Sequence, residues 1–226
     1  SCSNEVPDDQ LVERQGIKYE VNSTTPFTGQ SVKYWKDFKF SKDNELVGVE
    51  NIRERISYRN GKPHGLSESF HENGQIEFKG NYKDGKEDGL LETFDENGQP
   101  KNRMEYINGE LNGLNELYYE NGQLLKRGDK KNGKDHGFHE WFYENGRPQH
   151  RENLLHGEQH GLQESFYENG RQKHRLNFLY GEQHGFQEYF HKNGQLEIKG
   201  NLKDGKRDDL WEYYYENGQL KETGNY

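Results

Sequence analysis

Apolar residues recur along this chain with a period of 24. One file holds Leu66, Leu90, Leu114, Phe138, Leu162, Phe186 and Leu210; a second, four residues on, holds Phe70, Phe94, Tyr118, Phe142, Phe166, Phe190 and Tyr214. Between them every repeat places a glutamate, from Glu68 and Glu92 through Glu116, Glu140, Glu164 and Glu188 to Glu212. Spacing by two is the period of a strand, in which alternate side chains point to opposite faces. Turn signals punctuate the pattern. Asn-Gly pairs recur from Asn73-Gly74 to Asn217-Gly218, and a second glycine file runs from Gly61 to Gly205, so the turns alternate at separations of 13 and 11 residues. That leaves room for two short strands per repeat and none for a helix. The predicted fold is all-β: an elongated, single-layer antiparallel meander of β-hairpins, repeating every 24 residues.

Register decides which side chains share a face, because a slip of one residue turns a whole strand over. A two-residue turn at Asn-Gly sets Glu68 opposite Lys79. It pairs the glutamates with a basic file on the second strands: Lys79, Arg103, Arg127, Arg151, Arg175 and Lys199, lost at Thr223. A three-residue Glu-Asn-Gly loop with a left-handed glycine sets Phe70 opposite Ile76 instead. The second register is preferred. It gathers Leu66, Phe70, Ile76, Phe78 and Tyr82 on one apolar face, and leaves the charges to pair diagonally or around the edge. The other face then carries Tyr119, Trp141, Tyr143, Tyr167, Tyr189, Trp211, Tyr213 and Tyr215, an aromatic stripe that is the candidate binding surface. The competing reading of that stripe is cross-strand stiffening of the sheet.

The start of the chain departs from the repeat. Residues 1–15 are polar and without period, and read as a tether. Residues 16–64 read as a cap and a degenerate first repeat, in which about 12 extra residues fall within 36–49 and make the one long loop. Seven hairpin repeats follow over 65–226.

Composition narrows the function. Only 28% of the residues are hydrophobic and 31% are charged, too little apolar surface for a thick core. A net charge of -9 disfavours nucleic acid, whose phosphates need a basic stripe. No run of 18 apolar residues exists to form a membrane-crossing helix. The single cysteine, Cys2, sits in Ser1-Cys2-Ser3-Asn4, which reads as a lipidation site of a bacterial envelope lipoprotein; an ordinary cysteine in a cytoplasmic protein is the alternative. His64, His136, His160 and His184 stand at equivalent positions about 9.6 Å apart, too far to share a metal ion, and read as solvated turn residues. The glutamates, identical in every repeat, read as structural rather than as a glycosidase pair. No cofactor motif and no Ser-His-Asp set stands out.

PFTGQSVKYW near the start, and repeats such as YENGQLKETGNY and FHENGQIEFKGNYKDGKEDGLLETF, resemble the MORN-repeat variant of the bacterial YwqK family, across roughly residues 16–226. That family carries the label of antitoxin component in toxin–antitoxin systems. The resemblance implies a protein-binding repeat scaffold with no catalytic chemistry. The insertion and the Asp208-Asp209 pair depart from its pattern. The expected function is therefore a non-enzymatic scaffold for protein–protein interaction, of the antitoxin or the envelope-lipoprotein kind; the alternative is a module binding cell-wall glycan.

Overall fold

A computed structural model of the chain describes residues 5–40 and 46–226, with side chains described outside 36–50. Cys2 and the middle of the insertion lie outside the described residues. Among the described residues the fold is a meander of antiparallel strands, as the period predicts, with one three-residue 3-10 turn at Asp8–Gln10. It divides into two compact units, residues 1–110 and 111–226.

The first unit begins with β1 (Glu5–Pro7), β2 (Leu11–Arg14) and β3 (Ile17–Glu20), followed by β4 (Gly29–Phe40) and β5 (Leu46–Arg59). The hairpin repeats then supply β6 (Lys62–Phe70), β7 (Ile76–Lys83), β8 (Lys86–Phe94) and β9 (Pro100–Ile107). Residues 5–14 are no tether. β1 pairs in parallel with the edge strand β4, β2 pairs with β3, and Leu11 is buried. An open edge strand leaves backbone donors and acceptors unpaired, and this segment covers them. Leu11 joins Phe27 and Tyr58 in a small apolar core, with Val6 and Ile56 packed against it. The cap closes onto Gly61, where an added Cβ would collide with Ile17 and the backbone of Lys18.

The insertion is not a loop either. β4 and β5 stay in register from Lys36↔Glu50 out to Phe40↔Leu46. The extra residues therefore lengthen both strands of the first hairpin instead of bulging from it.

The second unit holds β10 (Glu110–Tyr118), β11 (Leu124–Lys131), β12 (Lys134–Phe142) and β13 (Pro148–Leu155). Short strands β14 (Glu158–Gln159) and β17 (Glu182–Gln183) alternate with β15 (Gly161–Phe166), β16 (Gln172–Leu179) and β18 (Gly185–Phe190). The unit ends with β19 (Leu196–Lys203), β20 (Lys206–Tyr214) and β21 (Leu220–Asn225).

The two glycine files make different turns. At Asp84-Gly85 both residues have positive φ, 52° and 89°, which is the two-residue type I′ turn that suits strand twist. At Asn73-Gly74 only the glycine is left-handed, the Gly74 amide donates to the His71 carbonyl and the His71 amide to the Gln75 carbonyl. This is the three-residue loop, and it sets Phe70 opposite Ile76.

One step further the ladder bulges. Ser69 pairs with Phe78 and Glu68 with Lys79, so Glu77 is surplus. The same shift recurs at the equivalent place in the other hairpins, for example at Trp141/Phe142 and Ser165/Phe166. The expectation of one apolar face over the even positions is therefore overturned. A surplus residue reverses strand parity beyond it, so Leu66, Phe70 and Ile76 share a face with Glu68 and Lys79, while Phe78 and Tyr82 lie on the other. The charges oppose each other directly, and not diagonally. In the second unit Glu140, 2% exposed, receives Arg127 Nη2 at 2.7 Å and Arg151 Nε at 2.6 Å from the strands on either side.

Candidate functional site

The candidate aromatic residues fall into two groups. Tyr119, Tyr143 and Tyr167 open the three-residue turns, and each hydroxyl donates to a main-chain carbonyl one repeat on: Phe142 at 2.7 Å, Phe166 at 2.8 Å and Phe190 at 2.8 Å. His191 bonds Tyr214 in the same way, and in the first unit Trp35 and His71 bond Phe70 and Phe94. Asparagines of the same turns add a second row, such as Asn121 Nδ2 to the Glu144 carbonyl at 3.0 Å. This edge is a line of staples between successive repeats. Tyr215 stands in the same file, 52% exposed, with its ring beside Lys221.

Trp141, Tyr189, Trp211 and Tyr213 lie on the face opposite the charge ladder. Trp211 is only 4% exposed and belongs to a buried file along the middle of that face. Members of this file reach across a glycine or small gap to a carbonyl ten residues back: His139 Nε2 to Asp129 at 3.0 Å, Gln187 Nε2 to Asn177 at 3.2 Å, Trp211 Nε1 to Asn201 at 3.0 Å. Those carbonyls sit where the ladder shifts register, between Gly128 and Asp129 and between Lys199 and Asn201. The irregularity makes room for a side-chain donor beside the ladder, and the Asn177 carbonyl accepts the His184 amide at 2.9 Å as well as Gln187. Gly128 and Gly200 make the room, since a Cβ at either would run into the His139 or Trp211 ring. His139 and Gln187 are fully buried.

Beside this file runs a half-buried row built by strand pairing, in which Ser165 is the deepest member: Lys126↔Trp141↔His150, then His150↔Ser165↔His174↔Tyr189, then Ile198↔Tyr213. Lys126 Nζ lies 4.8 Å from the centre of the Trp141 ring, and the His150 ring 5.1 Å from it. Arg207 stacks on Trp211 at 4.6 Å and donates to the Tyr213 and Tyr226 hydroxyls at 2.6 and 2.7 Å. Burial pushes the Tyr189 hydroxyl up and the His174 imidazole down, the latter helped by Lys173 and His150. Burial also pushes the Glu152 carboxyl up, but hydrogen bonds from His150 and Gln159 outweigh it and hold the group below its usual range.

The sequence reading singled out Trp141, Tyr189 and Tyr213 but missed His139, His150, Glu152, Ser165, His174 and Gln187. The available signal was a broken pattern. At the file of Gly80, Gly128, Gly200 and Gly224 one repeat places Glu152, the only charged residue there. The histidines expected to be solvated are half-buried: the His136 ring meets His156 at 5.8 Å and the His160 ring meets Tyr180 at 5.2 Å, both tilted, over the neighbouring turns.

The family profile described as MORN repeat variant matches residues 63–84, 87–108, 111–129, 159–171, 183–204 and 210–226. It passes over 130–158 and 172–182, which carry Trp141, His150, Glu152 and His174. No curated protein matches the chain. The matched segments amount to just over half of the sequence, and the chain belongs to the MORN repeat variant family.

Proposed function

We propose that the protein is a repeat scaffold that binds another protein through the aromatic row of its second unit. Repeats of this family serve generally as modules for protein or membrane interaction. The observation that supports this reading is a difference between equivalent positions. The first unit places Ser69 and Thr93 at the positions where the second places Leu117, Trp141, Ser165, Tyr189 and Tyr213, three of them large rings. Large rings on a rigid sheet give contact area at low entropy cost. A small toxin is the partner that an antitoxin role implies. Attachment through a lipidated Cys2 would place the scaffold at a bacterial envelope, and fatty-acid labelling of the full-length protein against Cys2→Ser tests that part separately.

The test of binding is capture of partners from the native host with the intact chain and with a Trp141→Ala, Tyr189→Ala, Tyr213→Ala triple variant. A polypeptide retained by the first and lost by the second is expected. Retention on peptidoglycan with no retained polypeptide would replace this reading with the glycan one.

A further inference from the structure

Two adjacent strands, β13 and β15, bring a serine, an imidazole and a carboxylate into one line. His150 Nδ1 lies 2.9 Å from Ser165 Oγ, and His150 Nε2 lies 3.4 Å from Glu152 Oε2. The carboxylate is fixed in turn by Gln159 Nε2, which donates to Oε2 at 2.8 Å. Ser165 and Glu152 are both more than nine-tenths buried. We propose that Ser165 is an activated nucleophile, that His150 is its general base and that Glu152 positions the imidazole, so that this site accepts the acyl group of small activated esters. This goes beyond the binding role and does not depend on it.

The tautomer follows from the neighbours. Gln163 Nε2 is placed 3.3 Å from His150 Nε2, while Gln163 Oε1 is buried without a partner. A half-turn about the last bond of this amide exchanges its nitrogen and oxygen and gives the imidazole a second acceptor. With Glu152 and Gln163 both accepting at Nε2, the proton sits on Nε2. The lone pair of Nδ1 is then free to take the Ser165 hydroxyl hydrogen. The roles are those of a serine–histidine–carboxylate set with the two ring nitrogens exchanged, and such sets are recognised by geometry and role.

The chemistry balances without another reagent. As Ser165 Oγ bonds to the ester carbonyl carbon, its proton passes to Nδ1. When the tetrahedral adduct collapses, the carbon–oxygen bond to the leaving alcohol breaks and Nδ1 returns the proton to that oxygen. Water repeats the sequence to free the acid. His174 is paired with Ser165 across β15 and β16, and burial, with Lys173 and His150 beside it, pushes its imidazole down. Backbone amides of an interior strand are committed to the ladder. The oxyanion therefore lacks the paired amides that make turnover fast, and acylation is the step to measure.

Ser69 occupies the equivalent position in the first unit and donates to Glu77 at 3.1 Å, so it is an internal control. The intact chain is treated with p-nitrophenyl acetate or a fluorophosphonate, and adducts are mapped by peptide mass. Labelling at Ser165 is expected at least tenfold faster than at Ser69. His150→Gln and Glu152→Gln should remove that advantage while leaving the Ser69 rate unchanged, and added imidazole should restore labelling in His150→Ala. Equal rates at the two serines, or an advantage that survives His150→Gln, would overturn the proposal. Ser69 lies in the other unit, so hydrogen exchange over residues 111–226 checks that each variant keeps its fold around Ser165.

Discussion

The two units bury their interiors by different means. In the first, Leu11, Phe27 and Tyr58 meet in an apolar core drawn mostly from outside the repeats, with Phe27 and Tyr58 ring centres 5.9 Å apart. In the second, the most deeply buried side chains are His139 and Gln187, each bonded to a main-chain carbonyl beside a break in the ladder. A hairpin of this composition has few apolar atoms to bury. The array gains an interior either by borrowing one from a cap or by satisfying polar groups under neighbouring side chains. The first route is a matter of transfer from water; the second depends on every hydrogen bond being made.

Truncation in the cap should have the largest effect. Phe27→Ala empties a site that is 3% exposed and should cost about 3–5 kcal/mol. Hydrogen exchange resolved by peptide should show residues 5–110 opening while 111–226 keep their protection. Joint opening would break the distinction between the units.

Alkali should act on the same unit. Burial, with Asp8 adding to it against a hydrogen bond to Ser31, pushes the Tyr58 hydroxyl from 10.0 up to about 12. The folded state holds this proton more tightly than the unfolded one. The stabilisation is complete below pH 10 and is lost as pH rises from 10 towards 12, about 3 kcal/mol in all. Urea titrations across that range should show the loss in wild type and its absence in Tyr58→Phe.

In the second unit His139→Leu keeps bulk but leaves the Asp129 carbonyl without its donor. About 2 kcal/mol should be lost, with opening confined to 111–226 in the same exchange experiment. A neutral outcome would mean that the polar file behaves as an oily one. The smallest effect belongs to the turn edge. Tyr143→Phe removes one staple and should cost about 1 kcal/mol in thermal unfolding, whereas Tyr215→Phe should change nothing measurable.

Much of the architecture was legible because turn chemistry is local. The glycine at Asn73-Gly74 announced a left-handed position, and the three-residue loop with Phe70 opposite Ile76 followed. The surplus residue at Glu77 carries no local mark, since any side chain tolerates it, and so the faces were misassigned. Extra length in 36–49 could have gone into a loop or into two longer strands, and pairing alone decides that. The site was least legible. Ser165, His150 and Glu152 are ordinary polar residues until strand pairing sets them side by side, and a tyrosine such as Tyr143 is equally suited to gripping a partner or a neighbouring carbonyl.

The surplus residue at each hairpin has a genetic consequence. A codon lost at Lys173 would remove the bulge and leave Gln172 opposite Phe166 and His174 opposite Ser165, with every other side chain still on its own side. A codon lost from the first strand of the same hairpin finds no such slack, and would invert the chemistry shown to each side of the sheet. Loss of a single residue is therefore expected to be absorbed at that spot and to be damaging in the strand facing it.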